Sequence, residues 1–335
     1  MSDIKSEDII LKIRDLKVYF DGYNGTTQVL NNISLDIRKG EALGIVGESG
    51  CGKSMTALSI MRLLQSPPAR IEGSISFCGT ELLTLNSKDI QSIRGNRISM
   101  IFQDPMTSLN PVFTIGHQLS EVFMLHQNMT RENARKASIE ALHMVNVAAP
   151  EKRIKNYPYQ LSGGMRQRVM IAMALACKPE LLIADEPTTA LDVTIQAQVL
   201  DLMNNLRDTT GAAIAFITHD LGVVSEMCER AVVLYCGEII EEAMVDKLFS
   251  DPKHPYTKGL LSALPHRGSR GRKLYVIPGT VPPAGQFPKG CVFAPRCSHA
   301  FDRCHTDKPV VTIFDNEHKA KCFLYEEKKY EYIQS

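Results

Sequence analysis

The chain has 335 residues, 44% of them apolar and 22% charged, enough for one large domain with an appendage or for two domains. Thirty-eight Lys and Arg against 37 Asp and Glu leave a formal charge of +1, without the basic excess that a duplex-binding protein shows. No stretch approaches the ~18–20 consecutive apolar residues that cross a bilayer, and the opening MSDIKSEDII lacks the basic-then-apolar pattern of a secretory signal. The expectation is a soluble chain made in the cytosol, where stable disulfides are rare.

In chain order, the first strong signal is LGIVGESGCGKSMTALSIM. The apolar run ending in GIV predicts a buried strand, and MTALSIMRLL predicts a helix. Between them, Gly47, Glu48, Ser49, Gly50, Cys51, Gly52, Lys53 and Ser54 fit G-x-x-x-x-G-K-[ST], with Met55 next. Glycines let such a loop wrap backbone N–H groups around phosphate oxygens in conformations a Cβ would hinder. The helix N-terminus adds partial positive charge. Lys53 is placed to reach the β- and γ-phosphates, and the Ser54 hydroxyl to ligate Mg²⁺.

Further on, Leu181 to Ala184 form an apolar strand that ends in Asp185-Glu186. Two carboxylates at a strand tip are costly without solvent or a task. Asp185 is placed to hold Mg²⁺ or its water, and Glu186 to polarise an attacking water. Together with the phosphate loop they make a nucleotide hydrolysis site.

After Leu264 the composition changes. PHRGSRGRK reads as a solvated basic linker, and prolines accumulate from Pro278 to Pro295. Four cysteines, Cys291, Cys297, Cys304 and Cys322, are spaced without the close C-x-x-C pairs of zinc ribbons. Thiolates on such loose loops can enclose a 4Fe–4S cube. Tetrahedral zinc accepts the same ligands, and unligated thiols are the third reading. A tail of this kind is expected to hold little regular structure, so that a metal would supply folding energy. Cys78, Cys177, Cys228 and Cys236 lie in apolar contexts and read as small core residues, and Cys51 is given no special chemistry.

The segment YQLSGGMRQRVMIAMALACKPELLIADEP narrows the class. LSGGMRQR, ahead of a helix that leads into the Asp185 strand, resembles the signature motif of the ATP-binding cassette (ABC) family, with Met165 where that motif carries glutamine. Gln103 in ISMIFQDP is similar to the family's Q-loop, ALD (Ala190 to Asp192) to its D-loop, and His219 in AFITHD to its switch histidine. The resemblance implies an α/β fold: an ABC-type P-loop NTPase core with an N-terminal antiparallel β subdomain, a helical subdomain at about 104–176, and a small metal-binding C-terminal extension. The nucleotide-binding domain is expected over 1–250 and the extension over 251–335.

The same resemblance implies roles. Ser162, Gly163 and Gly164 open a helix whose amides bind the γ-phosphate of ATP held by a second ATPase subunit. Glu186 acts as base, Gln103 joins Ser54 and Asp185 around Mg²⁺, and His219 contacts the γ-phosphate and, with Asp192, couples the two sites. An aromatic ring that stacks on adenine is expected near residue 20: Phe20 fits the spacing best, and Tyr19 adjoins it.

DPMTSLNP, DPKHPYTKGLLSALP, IPGTVPP and GCVFAPRC follow the order of the dipeptide/oligopeptide/nickel importer subfamily, resembling most the first ATPase subunit of dipeptide permeases. This implies a subunit that dimerises on ATP and powers import of small peptides, with nickel or another small solute as the alternative. A soluble ABC ATPase not tied to transport would be expected to carry tandem cassettes or a long coiled-coil insertion, and neither is legible here. The implied partners are a second, paralogous ATPase in a heterodimer, two transmembrane permease subunits and an extracytoplasmic solute-binding protein, with no nucleic acid. The implied place is the cytoplasmic face of the inner membrane, as a peripheral subunit. The subfamily also implies a 4Fe–4S cluster on the four late cysteines. The apolar, Met-containing stretch from Phe102 to Gln127 reads either as packing within the helical subdomain or as a docking groove for a membrane subunit's helix.

Overall fold

The computed structural model describes residues 8–23, 25–188, 193–264, 275–315 and 317–326. Among these, two compact units form. One takes residues 11–36, 42–77 and 217 onward, the other residues 37–41 and 78–216 with the first strand's opening residues. Asp192 and its neighbours Ala190 and Leu191, and the basic linker from Pro265, lie outside the described residues.

In the first unit the strand Ala42–Val46 is buried at all five positions, as its unbroken apolar sequence requires when both faces are covered. It runs parallel to Arg230–Tyr235, with Gly44 opposite Ala231. Gly44 sits in a tight space: a Cβ there would lie 3.0 Å from a methyl of Val224. The ladder continues through Glu238–Met244 and His318–Lys321 to Val311–Asp315, all antiparallel. The same unit holds an antiparallel sheet in the order Gly25–Arg38, Ile9–Gly22, Ala69–Phe77. Its inward row, including Ile13, Val18, Ile33 and Phe77, is fully buried.

Two expectations need correction here. The tail holds more regular structure than expected. Val311–Asp315 and His318–Lys321 form a hairpin that extends the ladder, and its alternation of buried and open positions is that of an edge hairpin. The helix after the phosphate loop covers Lys53–Ile60 and stops short of Leu64, because Arg62 takes a left-handed φ of 49° and two prolines follow at 67 and 68.

The join between tail and ladder is Glu241, 1% exposed. A bulge between Ile239 and Glu241 breaks the alternation, so that Ile240 and Glu241 are both buried. The carboxylate's Oε1 accepts from the Lys253 amide at 2.6 Å and pairs with His318 Nε2 at 2.9 Å, and its Oε2 accepts from the His254 amide at 2.8 Å. Burial works against the charge, but these bonds outweigh it and keep the pKa below the ordinary 4.5. His254 in turn caps the helix Pro255–Ser262, its Nδ1 accepting from the Tyr256 amide at 3.1 Å. Burial lowers its own pKa to about 4, so the ring is neutral and able to accept. The sequence HPYT is therefore a cap, a proline at the first helical position and a buried tyrosine.

In the second unit Ile98–Ile101 runs parallel to Leu181–Asp185, every residue of both being buried. Ala213–Thr218 lies beside the latter. The helices Ile115–Gln127, Arg131–Met144 and Gly163–Leu175 start at Thr114, Thr130 and Ser162, whose hydroxyls accept from the amide three residues on. A buried Ser120–Ser138 hydroxyl pair at 3.1 Å joins the first two helices. In the stretch from Phe102 to Gln127, Ile115, Leu119 and Phe123 are core, whereas Val112 and Leu125 are 69% and 70% exposed, so it packs on one face only. Cys228 and Cys236 are buried as expected, but Cys177 is half-buried and Cys78 exposed. Cys78 sits in a turn at φ 48°, where the apolar context of its neighbours does not reach.

Glu241→Gln should destabilise the chain by about 3 kcal/mol, because one amide hydrogen of the new side chain would face a donor in place of an acceptor. Urea titration measures it. Since the folded carboxylate is the stronger acid, the unfolded chain takes up the proton first as pH falls below about 4.5. Wild type should lose that increment over this acid window, and the variant should not.

Candidate nucleotide site

The candidate residues divide between the two units. In the first, the phosphate loop follows Val46 and ends at Gly52, the N-cap of Lys53–Ile60, with φ 107°. A Cβ on Gly47 would lie 2.4 Å from the Leu234 carbonyl and 2.6 Å from Cys51 Sγ, and one on Gly52 2.6 Å from Leu30. Both positions exclude any side chain. Gly50 has φ 82° with open space around it, and with Ser49 forms the exposed tip. Lys53 is buried, and its ammonium donates to the carbonyls of Gly47 at 2.7 Å and Glu48 at 3.1 Å. The loop thus holds its own cation. Burial pushes the Cys51 thiol up despite nearby Lys53, so Cys51 fills space as a neutral group. Ser54 and Met55 are half-buried on the first helical turn.

The loop is also held from outside. The Gly237 amide donates to the Cys51 carbonyl at 2.9 Å, and the Glu48 amide to the Tyr256 hydroxyl at 2.9 Å. The Glu48 carboxylate receives both terminal nitrogens of Arg296, at 2.7 and 3.1 Å. Glu48, Tyr256 and Arg296 were not singled out for this site by sequence. HPYT and APRC were visible only as subfamily motifs, and nothing local in either points to a loop some two hundred residues earlier.

On the strand Ile9–Gly22, Tyr19 and Phe20 face opposite sides and both are half-buried. The Arg70 guanidinium lies 4.4 Å from the Tyr19 ring centre, and the Tyr19 hydroxyl accepts weakly from Gln28 at 3.5 Å. His219 is exposed just after Ala213–Thr218, and the adjoining Asp220 caps Leu221–Met227 through the amides of Gly222 and Val223.

In the second unit Asp185 ends its strand, 3% exposed. Glu186 is half-buried just beyond, in a left-handed conformation with φ 46° that is uncommon for a residue with a long side chain. Gln103 donates from Nε2 to Glu186 Oε2 at 3.0 Å, so the structure brings these two candidates together. Ser162 and Gly163 are exposed, and a Cβ on Gly163 would meet nothing within 4 Å. The start of this helix is therefore open to solvent. Arg166 anchors the preceding turn through Pro158 O at 2.7 Å and Leu161 O at 3.1 Å. Buried Gln167 donates to the Pro187 carbonyl, tying the LSGGM helix to the Glu186 loop. That link is a further residue the sequence reading missed, since a glutamine inside an arginine-rich run carries no signal of burial.

The four late cysteines line one small pocket with His254, Phe293, His299 and Phe323. Burial raises Cys322 to about 12 and Cys291 to about 11, with the neighbouring thiols adding to it. The donor set is that of a four-thiolate centre. Even so, among the described residues no group of three or more His, Cys, Asp or Glu side chains is arranged to hold a metal ion.

These parts define a P-loop ATPase. The description "ABC transporter" matches residues 30–189, and "Oligopeptide/dipeptide transporter, C-terminal region" matches residues 240–304. The oligopeptide transport ATP-binding protein AppD of Bacillus subtilis is 51% identical over 319 residues, 95% of this chain and 97% of that protein. The dipeptide transport ATP-binding protein DppD of the same organism is 46% identical over 320 residues, 95% of this chain and 96% of its own. Among solved structures, the post-hydrolysis dimer of the ATP-binding cassette MJ0796 bound to ADP and phosphate covers 70% of this chain and 98% of its own. It has 29% identity and a TM-score of 0.64. The chain belongs to the ABC transporter ATPase family, in the branch that carries the oligopeptide/dipeptide transporter C-terminal region.

Gly47→Ala should abolish MgATP binding, because its Cβ would collide with a backbone carbonyl that cannot retreat. Calorimetric titration of the full chain checks this, with wild type binding and the variant silent at millimolar nucleotide.

Proposed function

We propose that this chain is the ATP-hydrolysing subunit of a membrane importer of small peptides, docked as a peripheral subunit on the cytoplasmic face. The observation that carries this is the near full-length likeness to peptide-transport ATP-binding proteins, through the C-terminal region as well as the ATPase core. In this reading residues 1–250 are the nucleotide-binding domain, with the helical part at about 104–176, and 251–335 the transporter-type extension.

The chemistry follows from the residues. The phosphate loop amides, Lys53 and Ser54 bind the triphosphate, and Phe20 takes the adenine, since the Tyr19 ring already carries Arg70. Ser54, Asp185 and Gln103 are the residues that would hold Mg²⁺, which would neutralise phosphate charge. Glu186 is the base that takes a proton from the attacking water. Its bond to Gln103 keeps it aimed and occupied before nucleotide arrives. Ser162, Gly163 and Gly164 face the γ-phosphate of ATP on a second ATPase subunit, a paralogue in this reading. His219 and Asp192 couple the two sites. The exposed apolar residues near Val112 and Leu125 then dock the permease pair, to which an extracytoplasmic binding protein delivers the solute. For the tail, Cys291, Cys297, Cys304 and Cys322 are the ligands of a 4Fe–4S cluster, with zinc as the alternative. Their shared pocket supports this reading.

In proteoliposomes with its permease subunits and binding protein, wild type should drive ATP-dependent uptake of a labelled dipeptide. Nickel uptake without peptide uptake would move the function to the alternative. Glu186→Gln should cut ATP turnover at least ~100-fold while retaining MgATP and accumulating as a closed dimer on size exclusion. Wild-type turnover would remove Glu186 from the role of base. Anaerobic purification should give about four irons and four sulfides per chain, with a brown colour lost in Cys297→Ser. One zinc and no colour would select the alternative.

A further inference from the structure

Arg296 is a buried cation that the ATPase chemistry does not use. Its side chain is 4% exposed, and it lies 248 residues from the carboxylate it pairs with. The guanidinium is fixed on several sides: Nε donates to the Pro278 carbonyl at 2.8 Å, one terminal nitrogen reaches the Tyr235 hydroxyl at 3.3 Å, and the fork takes both oxygens of Glu48. Glu48 is the first residue after Gly47 in the phosphate loop, a position the motif leaves open to any side chain. Every polar group of Glu48 is engaged. Its amide goes to Tyr256, its carbonyl receives the Lys53 ammonium, and its carboxylate holds Arg296.

A loop residue tethered at all three points has little freedom left. Ordering one residue's backbone costs on the order of 1–2 kcal/mol, and a loop ordered beforehand does not spend that from its binding energy. A bidentate arginine–carboxylate pair is well suited to the task, because it fixes direction as well as distance. We propose that Arg296 is a positioning residue for nucleotide: acting through Glu48, it holds the phosphate loop in its binding shape, so that the C-terminal region sets ATP affinity. The inference rests on the ATPase reading of the loop.

The test measures MgATP affinity of the purified full chain by calorimetry, beside a urea titration of each variant and steady-state ATP turnover in the assembled transporter. Arg296→Met should raise Kd and KM about tenfold with kcat changed little, the signature of lost ground-state and transition-state binding alike. Arg296→Lys, which keeps charge but not the fork, should recover only part of this. Tyr256→Phe, which frees the Glu48 amide and leaves the Arg296 side chain in place, should raise Kd by a smaller factor. The double variant Glu48→Gln/Arg296→Met should bind no worse than Arg296→Met alone, because both substitutions cut the same tether. A folded Arg296→Met with Kd within twofold of wild type overturns the proposal. Should that variant fail to fold, Tyr256→Phe and Arg296→Lys decide, and unchanged Kd in both overturns it equally. Absence of MgATP binding by wild type would instead strike the ATPase reading itself.

Discussion

The unit that carries the phosphate loop depends on one buried carboxylate. Glu241 is turned inward by a bulge and must find donors where water cannot reach. It takes them from His318 on the tail hairpin and from the two amides that open the Pro255–Ser262 helix. This fixes the angle at which that helix leaves the sheet, and with it the place of Tyr256. Tyr256 in turn stands 4.7 Å from Tyr235 and 5.3 Å from Phe293, ring centre to ring centre, and reaches the loop with its hydroxyl. A charge that would be ruinous alone thus becomes the joint between the tail, the sheet and the nucleotide site.

Each unit keeps its candidate groups occupied. Lys53 is held by carbonyls of its own loop, and Glu186 by Gln103. The carbonyls that hold Lys53 are neutral acceptors. A triphosphate offers Lys53 a charged acceptor in place of two carbonyls, and charge-assisted bonds are about twice as strong as neutral ones. The left-handed φ at Glu186 belongs to the same economy: the strand must end abruptly for the carboxylate to leave the sheet.

Much of this was legible in sequence because it is local. A glycine-rich loop between an apolar run and a helix, or a strand ending in two carboxylates, needs no partner to be recognised. The Ser162 cap and the buried strands Ala42–Val46 and Leu181–Asp185 came out where their patterns put them. What escaped was non-local. Nothing local in HKAK marks a strand, and only the fold shows its lysines paired with Glu242 and Glu238. Cys78 looked like core because its neighbours are apolar, and a backbone turn decided otherwise. Arg296 carries no local signal within a proline-rich tail, and only the fold shows its carboxylate.

Those misses share a cause, which bears on what the extension is. Read as composition, the segment after Leu264 is a loose appendage to which a metal would supply folding energy. In the fold it is tied to the core by Glu241, by the Lys308 and Lys321 pairs with Glu238, and by Arg296 with Glu48. Phe293 contributes one ring both to the tyrosine pair beside the phosphate loop and to the cysteine pocket. A centre formed on those thiols would complete a wall of the nucleotide-binding unit that already packs on the loop. The extension is accordingly part of the machinery that shapes the ATP site, and whatever acts on its cysteines acts one side chain away from Arg296.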